Sequence, residues 1–154
     1  MPLIELQTYI NAQQHICFDL ARDIDFHTAS LKHSKEKAIA GKTSGRIGLN
    51  EWVTWEARHF GIKQRLTSKI TEFEHPNYFV DEMVSGAFAS FKHEHIFIDQ
   101  NGKTLMIDRF QFESPLGVLG TLADILFLKA YMTKLLETRN VFLKEKAEEL
   151  SHIQ

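Results

Sequence analysis

The 154-residue sequence has one cysteine, three prolines, two Trp and three Tyr, and its net charge is only −2. A single cysteine, Cys17, excludes an intramolecular disulfide and fits a reducing compartment. Its neighbours Ile16, Phe18 and Leu20 mark it as a small buried hydrophobe. The near-neutral charge offers no general attraction to nucleic acid or to an anionic membrane. The N-terminus lacks a basic segment followed by an apolar run, so no signal peptide is expected. The longest apolar stretch, residues 116–128, is broken by Asp124 and falls short of the ~20 residues that span a bilayer. These absences predict a cytoplasmic protein with no stable membrane insertion. Internal repeats, low-complexity segments and linkers are also missing, so residues 1–154 read as one domain.

What is present is phenylalanine, twelve in all, and alternation. Residues 91–112 read as two strands around Asn101-Gly102, the strongest short-range hairpin signal. Side chains alternate between faces of a strand. Phe91, His93, His95, Phe97, Thr104, Met106, Asp108, Phe110 and Phe112 therefore share one face, and a loop over 99–102 sets His93 opposite Asp108. Polar groups on an apolar face must be paired or must await a ligand. An earlier hairpin turns at Phe60-Gly61, with Trp55 opposite Leu66 and His59 opposite Ile62. Val53, Trp55, Ala57, His59, Ile62, Leu66 and Ile70 then face inward. Glu56, Arg58, Lys63 and Arg65 face outward as a solvated ion-pair ladder.

The remaining elements are a first strand near residues 3–10, short helices over 13–21 and 25–31, an edge strand at 35–40 and a strand at 78–84. The Gly41–Gly48 loop reads as a flexible lid rather than a phosphate-binding loop. Ser114-Pro115 is a good helix start, and a helix can run from there to about Glu149. A twisted sheet with one apolar face needs a cover, and this helix is the only element long enough.

That order of elements, with Asp23-Ile-Asp-Phe-His27, Gly41-Lys-Thr-Ser-Gly45, Val53-Thr-Trp-Glu-Ala-Arg-His-Phe-Gly61, Phe79-Val-Asp-Glu-Met83, Gly86-Ala-Phe88, Phe91-Lys-His-Glu-His95, Thr104-Leu-Met-Ile-Asp108 and Ser114-Pro-Leu-Gly117, resembles the START-like (SRPBCC) superfamily, and within it the small bacterial single-domain members. The resemblance implies an α+β helix-grip fold. A curved, seven-stranded antiparallel sheet would wrap a long C-terminal helix, with two short helices after the first strand. It also implies an apolar cavity between sheet and helix, but no particular reaction.

The function expected is binding of a hydrophobic small molecule, such as a lipid, an isoprenoid or a polyketide-like compound. Trp55, Leu66, Phe91, Phe97, Met106 and Phe110 would supply the walls, and His59, His93, His95 and Asp108 the orienting polar groups. The rival reading is an aromatase/cyclase-type enzyme whose His93–Asp108 pair does acid–base chemistry. A third, an interaction module linked to cell division, comes only from labels that some relatives carry. His93-x-His95 with His59 and Asp108 has metal-ligand spacing. However, His-Glu-His-Ile-Phe-Ile-Asp matches a cupin motif incompletely, so no metal and no cofactor are expected. On the binding reading, Asp108→Asn keeps the fold and weakens the ligand by ~1–3 kcal/mol.

Overall fold

The computed structural model describes residues 2–114 and 127–153. Strand β1 (Leu3–Ile10) is followed by α1 (Gln14–Ala21), α2 (Ile24–Ser30) and a 3-10 turn at Lys32–Ser34. Six strands come next: β2 (Lys37–Gly41), β3 (Trp52–His59), β4 (Ile62–Glu74), β5 (Tyr78–Gly86), β6 (Ser90–Gln100) and β7 (Lys103–Glu113). Helix α3 (Lys129–Ile153) ends the chain. The anticipated first half of that helix, with its Ser114-Pro115 start, falls largely at 115–126, outside the described residues.

All seven strands form one antiparallel sheet in the order β1-β7-β6-β5-β4-β3-β2. Register shifts at Ala38/Ala40, Ile70/Glu72 and Thr67/Ser68 put one extra residue each into β2 (Ile39), β4 (Thr71) and β5 (Val84). Such bulges bend a strand and increase its twist, which curls the sheet toward the helices. Near the end of β5, Gly86 has φ +142° opposite Leu66, and a Cβ there would come within 2.8 Å of the Arg65 carbonyl oxygen. The two strands meet there only because the side chain is absent.

The β3–β4 hairpin has the register expected, including Trp55 opposite Leu66 and His59 opposite Ile62. Two details differ. Ile62 lies at the open end of the sheet and is 62% exposed. Glu56 points outward but is buried, because Lys37, Lys63 and Arg65 close over its carboxylate at 3.5, 3.5 and 3.1 Å. The hydrogen bond from Arg65 chiefly holds its pKa below the usual range.

The β6–β7 hairpin corrects the anticipated partners. Asn101 and Gly102 alone make the turn, both at positive φ (56° and 88°), and Gln100 pairs with Lys103. This tightest hairpin geometry matches strand twist better than a four-residue loop. His95, not His93, therefore faces Asp108, and His93 faces Phe110. The slip is two residues, an even number, so every side chain keeps its face. Residues 91, 93, 95 and 97 are buried, as are 104, 106, 108, 110 and 112.

Two apolar clusters fill the concave side. Under α1, Phe18 sits edge-on to Phe73, Phe79 and Phe97 at 5.2–5.4 Å between ring centroids, with Met106, Leu143 and Ala147 packed around them. Nearer the start of α3, Ile4, Phe91, Phe110, Phe112 and Leu136 form the second cluster. Helix α3 buries Leu135, Leu136, Arg139, Asn140, Leu143 and Ala147 on one stripe. Two of those six are polar, and they define what lies between the clusters.

Candidate functional site

A buried polar layer crosses the concave face. Alternation on β5, β6 and β7 brings Asp81, His93, His95 and Asp108 inward, and α3 lowers Arg139 and Asn140 onto them. Asp108 is fully buried and accepts three hydrogen bonds: His93 Nε2 at 2.8 Å and Arg139 at 2.6 Å on Oδ1, and Asn140 Nδ2 at 2.7 Å on Oδ2. Burial alone would raise its pKa. The Arg139 guanidinium and the donors around it outweigh that and keep the carboxylate well below its ordinary range.

His95 contacts Asp81 Oδ2 through Nε2 at 2.7 Å. Burial lowers its pKa to about 4, and the neighbouring His93 pushes the same way. The ring is therefore neutral near pH 7, and with an ionised Asp81 as acceptor Nε2 must carry the proton. Its Nδ1 is buried without a hydrogen-bond partner among the described residues, 3.6 Å from Asp108 Oδ1. The pKa of Asp81 is lowered: desolvation would raise it, but the His95 hydrogen bond and nearby positive groups prevail.

On the α3 N-terminal side of this layer lies a cavity of about 550 Å³. Trp55, Leu66, Phe88, Phe91, Phe110 and Leu136 give it a mostly apolar wall. His93, Asp81 and Arg139 form its polar floor. Two further polar pairs border it. His59 Nδ1 and Tyr131 Oη share a hydrogen bond at 2.5 Å, and His27 Nε2 meets Glu36 at 2.6 Å beside the Trp55 ring. Burial lowers the pKa of His59 and raises that of Tyr131, so both partners favour their uncharged forms. A second chamber of about 80 Å³ lies across the layer, and Trp55, Ser68, Asp81, His93 and Arg139 border both spaces.

Of the ten residues expected to contact a ligand, Trp55, His59, Leu66, Phe91, His93 and Phe110 border the large cavity. Four do not. Phe97 and Met106 belong to the packed cluster under α1, because that helix covers their end of the strands. Asp108 lies beneath Arg139, Asn140 and His93, and His95 reaches only the small chamber. His93 and Asp108 do bond directly on the concave face, though as diagonal neighbours. Asp81, Arg139, Asn140, Tyr131, His27 and Glu36 were not anticipated. Some carried a signal: Arg139 and Asn140 fall on the 136–143–147 stripe of α3, and Asp81 shares the inward parity of Phe79 and Met83.

Asp81, His93 and His95 bring ligand-type atoms within 4.8 Å of one another. The two imidazoles are almost stacked, with centroids 3.7 Å apart and planes tilted by 31°. An ion between stacked rings lies out of the plane of both, where the nitrogen lone pairs do not point. The Arg139 guanidinium also supplies positive charge to this cluster already. The arrangement suits a hydrogen-bonded network better than a metal centre.

No protein-family model matches the sequence, and no curated protein does. Solved structures do. The protein TTHA0849 from Thermus thermophilus superposes with a TM-score of 0.78 at 21% identity, covering 97% of this chain and 99% of that one. A START superfamily protein from Mycobacterium smegmatis gives 0.73 at 14% identity over 96% and 98% of the two chains. The di-domain ARO/CYC StfQ from the steffimycin biosynthetic pathway gives 0.77 at 11% identity, over 97% of this chain and 51% of that one. The architecture is thus the START-like helix-grip fold, as the sequence motifs implied.

Proposed function

We propose that this protein binds an apolar small molecule of the lipid, isoprenoid or polyketide-like type between the sheet and α3. The observation that carries the reading is the 550 Å³ cavity, apolar on its walls and polar at its floor. Its size falls within the ~300–1,000 Å³ of small-molecule sites, and a few fixed polar groups in an apolar pocket are what orients a ligand. Aromatic rings at Trp55, Phe88, Phe91 and Phe110 suit the flat parts of such a molecule.

Native mass spectrometry of freshly purified protein, with solvent extraction and identification of co-purifying compounds, tests this. The expected result is an adduct that disappears on denaturation, or uptake of the neutral dye Nile red where the cavity arrives empty. Leu66→Trp, which fills the cavity from β4, should abolish either. Wild-type protein that carries no adduct and takes up no dye would refute the reading.

A second reading is favoured by one contact. His93 borders the cavity while Asp108 holds its Nε2 from behind, the relation of a general base to its orienting carboxylate. This is the cyclase-type enzyme, and turnover of an enolisable polyketide-like substrate that vanishes in His93→Gln is its test. A His93→Gln variant with wild-type turnover would remove it.

A further inference from the structure

Resting on the binding reading, we infer that the ligand presents a hydrogen-bond donor to Asp81 and that the cavity discriminates against anions. The charges around the cavity decide this. Both arginines that border it already have a carboxylate against their charge: Arg139 lies on Asp108 at 2.6 Å and also bonds Asn140 Oδ1 at 2.9 Å, and Arg65 lies on Glu56 at 3.1 Å. The bordering imidazoles are committed too, His59 to Tyr131, His27 to Glu36 and His93 to Asp108. A carboxylate or phosphate entering the cavity therefore gives up its water without gaining a charge-unpaired cation among the described residues, and it meets the carboxylates of Glu36 and Asp81.

A donor gains where an anion loses. Asp81 uses Oδ2 for His95, and its Oδ1 has no protein partner among the described residues. Its side chain is 19% exposed and borders both the large cavity and the small chamber. The neutral imidazole behind it donates a proton without cancelling its charge. An ionised acceptor in a mostly apolar enclosure makes a stronger hydrogen bond than a neutral one. Phenolic or alcoholic hydroxyls fit this site, whereas free fatty acids and acyl phosphates do not.

Calorimetry at pH 7 with three probes of one bicyclic body isolates the polar group: 2-naphthol, the donor; 2-methoxynaphthalene, which lacks it; and 2-naphthoate, the anion. The expected order is naphthol first, tighter than either of the others by at least ~10-fold, the cost of one unmatched polar partner. In Asp81→Asn, which keeps an oxygen for His95 but loses the charge, the naphthol-to-naphthoate ratio should shrink to within about 3-fold on the same basis. Naphthoate binding wild type as tightly as naphthol would overturn the inference and leave the cavity reading standing. So would equal affinity for naphthol and methoxynaphthalene, a comparison that needs no variant. Binding of none of the three would overturn both. A folded Asp81→Asn with the full wild-type ratio would take the discrimination away from Asp81.

Discussion

Strands β6 and β7 run through two environments, and their two ends behave differently. Toward the Asn101-Gly102 turn, Phe97 and Met106 lie under α1 and meet Phe18, Phe79 and Leu143 in a packed core. Toward the other end, Phe91 and Phe110 project from the same face with the same alternation and meet open space. Sequence pattern is the same at both ends; the covering element differs. A helix laid close turns an apolar sheet face into core, and a helix that stands off leaves a pocket wall. Between them the Asp81–His95–His93–Asp108–Arg139 layer forms a polar boundary that fixes where one regime stops.

The largest effect should come from breaking that boundary. Asp108→Ala strands Arg139, Asn140 and His93 without their shared acceptor, and loss of one partner of a buried ion pair costs about 3–5 kcal/mol. Urea denaturation reads it directly, and a loss below about 1 kcal/mol, the scale of an ordinary hydrogen bond, would show that the layer contributes little to the fold. This replaces the expectation that Asp108→Asn acts mainly on binding: the carboxylate is fully buried and does not border the cavity.

A sharper comparison uses one substitution at each end. Phe97→Ala opens a void in packed core and should cost about 3–5 kcal/mol. Phe91→Ala enlarges a space that already exists, so its cost should be distinctly smaller while uptake of Nile red changes more. Equal losses at the two sites would contradict the division into core and wall.

The next effect is on pH dependence. His95 titrates near 4 in the folded protein against an ordinary 6.5. Between those values the unfolded chain binds the proton and the folded chain does not, so stability is full above pH 6.5 and falls as the pH drops toward 4. Below about 4 the depressed carboxylates Asp81 and Asp108 extend the loss. Urea midpoints measured from pH 7 to 4.5 should decline, and His95→Gln should flatten that slope. A flat wild-type profile would argue against a neutral buried His95.

The smallest effect concerns Cys17, whose thiol burial raises to about 11. Native protein should resist a thiol-selective disulfide reagent at pH 8 and react in denaturant. Prompt labelling of the native state would place α1 farther from the sheet than its packing against Phe97 requires.

These contrasts also explain what was legible in the sequence. Alternation and the two turn dipeptides revealed the faces of both hairpins, because parity survives any even slip in register. Asn-Gly could not reveal whether the turn takes two residues or four, so the partner of Asp108 was misassigned while its face was correct. The layer itself was half-visible. His93, His95 and Asp108 stood out as polar residues on an apolar face, whereas Arg139 and Asn140 merged into a charged helix where most such residues meet solvent. Division of the inward residues into wall and core was not legible, since it depends on how closely α1 and α3 approach the sheet. Spacing along a strand carries no information about that distance.

The place of β1 has a consequence for the order of assembly. Leu3 pairs with Gln111 and Ile10 with Thr104, so among the described strands the first finds its only sheet partner in the last. The two hairpins, in contrast, close over turns of two residues. Closing a long loop must be offset before its contacts contribute, and folds dominated by such pairings reach the native state in ms to s rather than μs. During refolding, pulsed hydrogen exchange should therefore find the amides of β3–β4 and β6–β7 protected before those of β1. The cavity, which needs a complete sheet and a docked α3, would be the last part of the molecule to exist.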